Sequence, residues 1–148
     1  MTTQLDVEEL SQQIQRQFPG AVQEAQGSFI LLKSDYLEEV ARYCHDTPAL
    51  TLDFLSSVTG VDYIDYFELI YHLVSIEHNH SVILKTRAYG REDPNVPSLT
   101  GIWQGATLQE REVYDLMGIR FTGHPYLKRI FLWDGFQGYP HRKDFTGA

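Results

Sequence analysis

Residues 66–89, YFELIYHLVSIEHNHSVILKTRAY, contain the pattern that decides the fold. Residues 66–77 are rich in β-branched and aromatic side chains, which favour strands. In residues 81–89 successive side chains would point to opposite faces of a strand, which places Val82, Leu84, Thr86 and Ala88 together on one face. The polar residues 77–80, EHNH, separate the two segments and suit a turn. The stretch therefore predicts an antiparallel β-hairpin.

Two helices and a strand are predicted before this hairpin. Apolar residues recur at near-helical spacing over residues 4–18, and Pro19–Gly20 ends that pattern. Residues 28–33, SFILLK, read as a buried strand. Residues 36–46 predict a second helix that Ser34 or Asp35 would cap. One side of it is apolar and consists of Leu37, Val40, Ala41 and Cys44.

A third helix is predicted after the hairpin and the loop at residues 90–101. In residues 107–118, TLQEREVYDLMG, Thr107 and Glu110 have the spacing of a capping box, and Gly118 suits a left-handed helix end. Strands and helices in this order predict an α+β fold: a single domain with an antiparallel or mixed sheet and packed helices.

Composition excludes several classes of protein. The net charge of −8 argues against nucleic-acid binding, which needs a basic face. Residues 1–100 contain 6 basic and 15 acidic side chains, whereas residues 101–148 contain 6 and 5, so the two parts are expected to face different neighbours. No apolar run is long enough to span a membrane, and the acidic N-terminus does not resemble a signal peptide. We therefore expect a cytoplasmic chain.

Few residues offer independent chemistry. Cys44 is the single cysteine, so a disulfide or a cysteine-only metal site within the chain is excluded, and His45 beside it would point away on a helix. His78 and His80 could converge on a metal from one strand face, but they also fall in the predicted turn. The sequence contains no phosphate-binding loop and no hydrolase elbow. We predict no catalytic, cofactor-binding or metal residues.

The third helix places a carboxylate on its apolar face. At 100° per residue, Glu110 lies among Ala106, Val113 and Met117, while Glu112 points away. A carboxylate in that position must be hydrogen-bonded or paired. The capping box would satisfy Glu110, and Arg111 and Asp115 are spaced for an ion pair. Glu110 and Asp115 point too far apart for an acid/base pair.

The C-terminal segment is aromatic and irregular. Glycine and proline interrupt it too often for long helices or strands, and it is too aromatic for a disordered tail. Its rings are Phe121, Tyr126, Phe131, Trp133, Phe136, Tyr139 and Phe145. Aromatic and basic residues dominate protein interfaces. We predict a core domain at residues 1–120 and an extended aromatic, basic arm at residues 121–148 that docks on partner subunits.

Residues 110–130, EREVYDLMGIRFTGHPYLKRI, followed by GYPHRKDF at 138–145, resemble the signature of a known family. The family is the 30 kDa subunit, or C subunit, of complex I, the proton-pumping NADH:quinone oxidoreductase. The segments at 67–77 and 82–103 resemble the hairpin and loop that precede this signature. The residues expected at the partner interface are Glu110, Arg111, Glu112, Asp115, His124, Pro125, Lys128, Arg129, Trp133, Pro140, Arg142, Lys143 and Asp144.

The resemblance implies a non-catalytic structural subunit of the hydrophilic arm of a hetero-oligomeric complex. It would dock on the quinone-site subunit, also called the D subunit, and lie near the iron–sulfur subunits, on the cytoplasmic side of the cell membrane. FMN and iron–sulfur clusters would belong to partner subunits, which carry electrons to quinone. Two alternatives stay open. One is the equivalent subunit of a membrane-bound nickel–iron hydrogenase or of a ferredoxin- or F420-linked oxidoreductase; the other is a free-standing enzyme or metal-binding protein that uses His78 and His80.

Overall fold

A computed structural model describes residues 2–133 and 135–146. The three α-helices are α1 (Val7–Gln17), α2 (Leu37–Asp46) and α3 (Ala106–Met117), and a 3₁₀ turn (Ser34–Tyr36) precedes α2. The strands are β1 (Thr3–Gln4), β2 (Val22–Gln26), β3 (Phe29–Leu32), β4 (Phe54–Asp62), β5 (Tyr66–Ser75), β6 (His80–Tyr89), β7 (Asn95–Pro97) and β8 (Arg120–Thr122).

The predicted hairpin is confirmed as the centre of the sheet. Strands β5 and β6 pair antiparallel from Tyr66 opposite Tyr89 to Ser75 opposite His80. Residues 76–79 form the turn, where Asn79 adopts a positive φ of 55°. The face of β6 that carries Val82, Leu84, Thr86 and Ala88 is the buried one, since all four side chains are buried. Alternation along the strand therefore determined which side faces the core.

The larger sheet is mixed. Its strand order is β2-β3-β6-β5-β4, and β1 pairs with β6 beyond the end of β3. Strands β1 and β3 run parallel to β6, whereas the other neighbours are antiparallel. A separate two-stranded parallel sheet joins β7 to β8, and β7 lies in the segment predicted as a loop. The α+β prediction is confirmed, including the mixed sheet with packed helices.

Helices α1 and α2 contribute one apolar side each to the core. Asp6 caps α1 by accepting a hydrogen bond from the Glu9 amide at 3.1 Å. The predicted apolar side of α2 is confirmed, and all four of its residues are fully buried. Burial raises the pKa of the Cys44 thiol to about 12, which favours the protonated, unreactive form. The predicted cap of α2 is wrong, because Ser34 and Asp35 form the 3₁₀ turn and no side chain caps the helix.

Helix α3 packs on the sheet at β4. A side chain at Gly60 would lie 2.8 Å from the Met117 sulfur and 3.0 Å from Val113 Cγ1, so glycine permits this close approach. The predicted capping box is wrong: the helix begins after Gly105 with no side-chain cap, which puts Thr107 inside it, and Glu110 bonds to a different segment. Gly118 ends the helix in the left-handed conformation, with φ of 75°, as predicted.

Across residues 2–133 and 135–146, no helix has both the length and the apolar character needed to cross a membrane.

Candidate docking site

The segment after β8 turns back and runs along one side of α3. His124 Nε2 donates a hydrogen bond to the carbonyl oxygen of Thr107, in the first turn of the helix, at 2.9 Å. One turn later, Arg111 Nε donates to the Lys128 carbonyl at 3.0 Å, and its Nη2 donates to the Arg129 carbonyl at 3.2 Å. The segment is therefore held to α3 at successive turns, first through a side chain and then through its main chain. We call the described residues 123–133 and 135–146 the arm.

Asp115 holds the next part of the arm. Its Oδ2 accepts hydrogen bonds from three consecutive amides, those of Ile130, Phe131 and Leu132, at 3.0, 2.7 and 3.2 Å. Arg129 Nε lies 3.5 Å from the other carboxylate oxygen, and Asp115 is fully buried. Such convergent amides form a favourable site for an anion. The predicted ion pair between Arg111 and Asp115 is wrong, because each side chain bonds to the main chain of the arm instead.

The end of the arm is held by a charged cluster at the end of β4. Arg91 forms two hydrogen bonds with the buried carboxylate of Asp62, at 2.6 and 2.9 Å, and a third with Asp144 at 2.9 Å. The amide of Lys143 donates to Asp62 at 2.8 Å. The hydrogen bonds from Arg91 hold the pKa of Asp62 well below its usual range.

Arg142 closes the C-terminal end of α3. Its Nε donates to the Met117 carbonyl at 2.6 Å, and its Nη1 donates to the Arg91 carbonyl at 2.8 Å. The His141 amide also donates to the Leu116 carbonyl at 2.8 Å. The last carbonyls of a helix have no partner within the helix, so these donors from the arm satisfy them.

Glu110 binds the segment that follows β7. As predicted, it lies on the apolar face of α3, where it is fully buried. Its two oxygens accept hydrogen bonds from Ser98 Oγ at 2.6 Å and from the Leu99 amide at 2.8 Å. Burial raises its pKa to about 7, although both hydrogen bonds oppose that change. Glu110 therefore connects α3 to a neighbouring loop inside the molecule.

The structure thus divides the predicted interface residues into two groups. One group has side chains that bond within the chain: Glu110, Arg111, Asp115, His124, Arg129, Arg142 and Asp144. The others form no hydrogen bond through their side chains in the described part of the molecule: Glu112, Pro125, Lys128, Trp133, Pro140 and Lys143. Of this second group, Pro140 is half-buried and the rest are exposed.

Exposed apolar side chains project from the arm. Trp133 is 68% exposed, Phe131 60% and Tyr126 55%. In contrast, Phe121 is buried in β8, and Phe136 packs between Trp133 and Phe145. The sequence identified the rings as a group but could not separate those that face the body from those that face solvent.

Sequence reasoning missed Asp62, Arg91 and Ser98, which hold α3 and the arm in place. Arg91 and Ser98 lie in a segment predicted only as a loop, and Asp62 lies at a strand end. Each acts on a residue far away in the sequence, such as Asp144 or Glu110. No local pattern marks such pairs.

The histidines considered for a metal site contact the main chain instead. His78 Nε2 donates to the Pro48 carbonyl and His80 Nε2 to the Leu50 carbonyl, both at 2.7 Å. Over the described ranges 2–133 and 135–146, no three side chains of His, Cys, Asp or Glu are grouped so that they could hold a metal ion.

The fold and this site define a small α+β domain whose aromatic arm is hydrogen-bonded along one helix. Comparison of sequences gives the family: the model described as "Respiratory-chain NADH dehydrogenase, 30 Kd subunit" matches residues 30–148. The chain belongs to this family, as its signature residues predicted.

Individual relatives agree with this assignment. The chain is 46% identical over 114 residues to the C subunit numbered 2 of the NADH-quinone oxidoreductase of Rhizobium meliloti (strain 1021), covering 75% of this chain and 62% of that one. It is 46% identical over 95 residues to the C/D subunit of the NADH-quinone oxidoreductase of Phocaeicola vulgatus, covering 64% of this chain and 18% of the relative. Matches to the first two curated relatives span 62% and 58% of their lengths.

Solved structures show the same fold. A chain of the membrane-bound sulfane sulfur reductase, an archaeal respiratory membrane complex, superposes with a TM-score of 0.73 at 26% identity, covering 93% of this chain and 84% of that one. The trypsin-resistant fragment of Nqo5 gives a TM-score of 0.53 at 36% identity, covering 67% of this chain and 81% of the fragment.

Proposed function

We propose that this chain is the C subunit of a complex I-like, proton-translocating NADH:quinone oxidoreductase, and that it is a structural rather than a catalytic subunit of the hydrophilic arm. Family membership and the names of its relatives support this function. FMN and iron–sulfur clusters in partner subunits would then carry electrons to quinone. The chain would lie peripherally on the cytoplasmic side of the membrane, held there by the complex.

The observation that carries the docking role is the exposure of Tyr126, Phe131 and Trp133 on an arm with a restrained main chain. Large rings are the residues that most often dominate binding energy at protein interfaces. Because Arg111 and Asp115 already hold the arm, little conformational entropy remains to be lost when a partner covers it. These rings therefore form the surface that meets a neighbouring subunit.

We propose the quinone-site subunit, the D subunit of such complexes, as the principal partner, with iron–sulfur subunits nearby. The relative named as a C/D subunit supports this choice, because one polypeptide there includes a part similar to this chain. Joining two subunits in one polypeptide is compatible with assembly only when their folded parts can lie side by side.

A second candidate function is the equivalent subunit of a related membrane complex with another electron donor. The match to the sulfane sulfur reductase complex favours it, because that match covers nearly the whole chain with the higher TM-score of the two structures. A nickel–iron hydrogenase or a ferredoxin- or F420-linked oxidoreductase belongs to the same group of alternatives.

Purification of the tagged chain from its source cells tests the proposal. We expect the quinone-site subunit and an NADH-oxidising flavoprotein subunit to co-purify with it. Replacing both Phe131 and Trp133 by Ala should lower recovery of the quinone-site subunit at least tenfold, since truncating central apolar contacts costs about 1–3 kcal/mol or more.

The matched control replaces Ile76 and Tyr89 by Ala in the same way. These side chains are 70% and 62% exposed on the hairpin. Recovery should be unchanged in that double variant. If hydrogenase or ferredoxin-linked subunits co-purify in place of the NADH-oxidising flavoprotein, the result would favour the second candidate function. Purification of a chain with no bound subunit at all would contradict both.

A further inference from the structure

Helix α3 is covered by its own chain on two sides. Its apolar side, with Val113 and Met117, packs on β4 at Gly60. A second side, with Arg111 and Asp115, lies under the arm, which bonds to both of these residues. At 100° per residue these two sides leave one strip of the helix uncovered.

The uncovered strip consists of Leu108, Glu112 and Leu116, which follow one another at intervals of four residues. Leu108 is 59% exposed and Glu112 is exposed, whereas Leu116 is half-buried because it also packs against the core. Side chains at this spacing share one face of a helix. Two of the three residues, Glu112 and Leu116, line a shallow groove together with Thr59 of β4 and His141 of the arm.

Glu112 differs from the other charged residues of α3. Glu110, Arg111 and Asp115 are all engaged within the molecule. Within residues 2–133 and 135–146, the Glu112 carboxylate has no hydrogen bond and no ion pair. Glu112 lies between two leucines along the helix. A partner segment with a basic side chain between apolar side chains would complement this arrangement in both charge and hydrophobicity. Complementary charge of this kind sets register and partner choice at interfaces.

We infer that the strip Leu108–Glu112–Leu116 binds a segment of a neighbouring subunit that places a Lys or Arg side chain on Glu112 and apolar side chains on the two leucines. This inference rests on the proposed function, because it requires assembly with other subunits. It adds a second contact surface, distinct from the exposed rings of the arm, and it assigns a charge to the partner.

Charge reversal in the assembled complex tests the inference. We expect Glu112→Lys to lower recovery of partner subunits with the tagged full-length chain at least tenfold, with the melting temperature of the isolated chain unchanged. Glu38→Lys is the matched control, since Glu38 is an exposed acid on α2. It should leave recovery as in the wild-type chain. Equal recovery for the Glu112 and Glu38 variants would overturn the inference.

A photo-reactive amino acid at position 108 identifies the occupant. The expected product is a cross-link to another subunit, in a peptide that contains Lys or Arg. Changing that residue to Glu should restore assembly of the Glu112→Lys chain. A cross-link to a second copy of this chain, or to a peptide without a basic residue, would refute the inference.

The two proposals can fail separately. If the wild-type chain recovers no partner subunits, the proposed function fails. If the wild-type chain and its Glu112→Lys variant recover them equally, only the present inference fails.

Discussion

Two buried carboxylates on α3 are stabilised in different ways. Asp115 accepts hydrogen bonds from three amides and lies near Arg129, whereas Glu110 has two neutral donors and, in the described part of the chain, no cation beside it. Burial without a cation disfavours the charged form, which is why the pKa of Glu110 rises to about 7. At the scale of single residues, neighbouring signature acids thus have separate roles.

Stability should depend on pH through Glu110. Its pKa rises from 4.5 to about 7 on folding, so the folded chain holds a proton that the unfolded chain has released between these values. Its stabilising contribution is therefore present below pH 4.5 and declines as pH rises through 7, by about 3 kcal/mol in all. In Glu110→Gln the amide can donate to Ser98 and accept from Leu99, as the protonated acid does.

We expect the wild-type chain and the Glu110→Gln variant to have similar free energies of unfolding at pH 5. At pH 8 the variant should be more stable than the wild-type chain. Urea unfolding at a series of pH values measures this difference. Glu112→Gln is the control, and its difference from wild type should stay flat because Glu112 is exposed. If the wild-type chain became more stable relative to the Gln variant as pH rises, the prediction would be contradicted.

Helix α3 and the arm stabilise each other at the scale of elements. The helix supplies Arg111 and Asp115 to the main chain of the arm, and the arm supplies Arg142 and the His141 amide to the last carbonyls of the helix. The chain reverses direction between them at Gly118. That position has a left-handed backbone and is crowded by Tyr139 and Arg142.

Gly118→Ala should therefore be strongly destabilising. The new Cβ would lie 2.6 Å from the Tyr139 ring and 2.7 Å from Arg142 Nη2, so the arm must move. We expect a loss of about 2–3 kcal/mol in the free energy of unfolding, of which about 1 kcal/mol is left-handed backbone strain. Urea denaturation measures this loss.

Two further glycines separate the contributions to this loss. Gly90 has φ of 93° and open space around its Cβ position, so Gly90→Ala should show the strain alone. Gly105 has φ of −60° and equally open space, so Gly105→Ala should be neutral or slightly stabilising. Equal losses for Gly118→Ala and Gly90→Ala would mean that contact with the arm contributes nothing.

The whole molecule combines a mixed sheet, three helices and an arm that is attached by polar bonds more than by buried apolar side chains. Strand β8 spans the predicted boundary at residue 120, since it covers Arg120–Thr122 and Phe121 is buried. The irregular segment therefore begins at Gly123. The division into a core domain and a docking arm remains a proposal, which a truncation can test.

Removal of residues 123–148 should leave the α+β body folded but less stable. Asp115 would lose its three amides and Arg129, and Asp62 would lose the Lys143 amide. Leaving these buried carboxylates without their partners should lower the free energy of unfolding by about 3 kcal/mol, as for a broken buried ion pair. Far-UV circular dichroism and urea unfolding measure fold and stability, and co-purification measures loss of partner subunits.

The control for this truncation is the full-length chain with both Phe131 and Trp133 replaced by Ala. It should lose partners as the truncated chain does while keeping full stability, because both rings are exposed. An unfolded truncated chain would show that the arm belongs to the core domain, which would contradict the proposed division.

The sequence by itself determined the elements that depend on neighbouring residues. Two strand-like segments with a polar turn between them predicted the hairpin, and alternation in residues 81–89 grouped the side chains of β6 by face. Helical spacing predicted the apolar side of α2. Gly118 marked the end of α3, because a left-handed helix end favours glycine. The signature from Glu110 onward was sufficient for the family. These features are local, so their pattern is visible in one short stretch.

Only the tertiary structure decided which partners the charged residues of the signature have. Spacing predicted a capping box at Glu110 and an ion pair between Arg111 and Asp115. In the structure Glu110 instead bonds to Ser98 and Leu99, and Arg111 and Asp115 each bond to the arm. Strands β7 and β8 likewise pair across α3. Each of these contacts joins segments far apart in the sequence. Their choice depends on how the whole chain packs, since a buried polar group bonds to whichever donor the fold brings within reach.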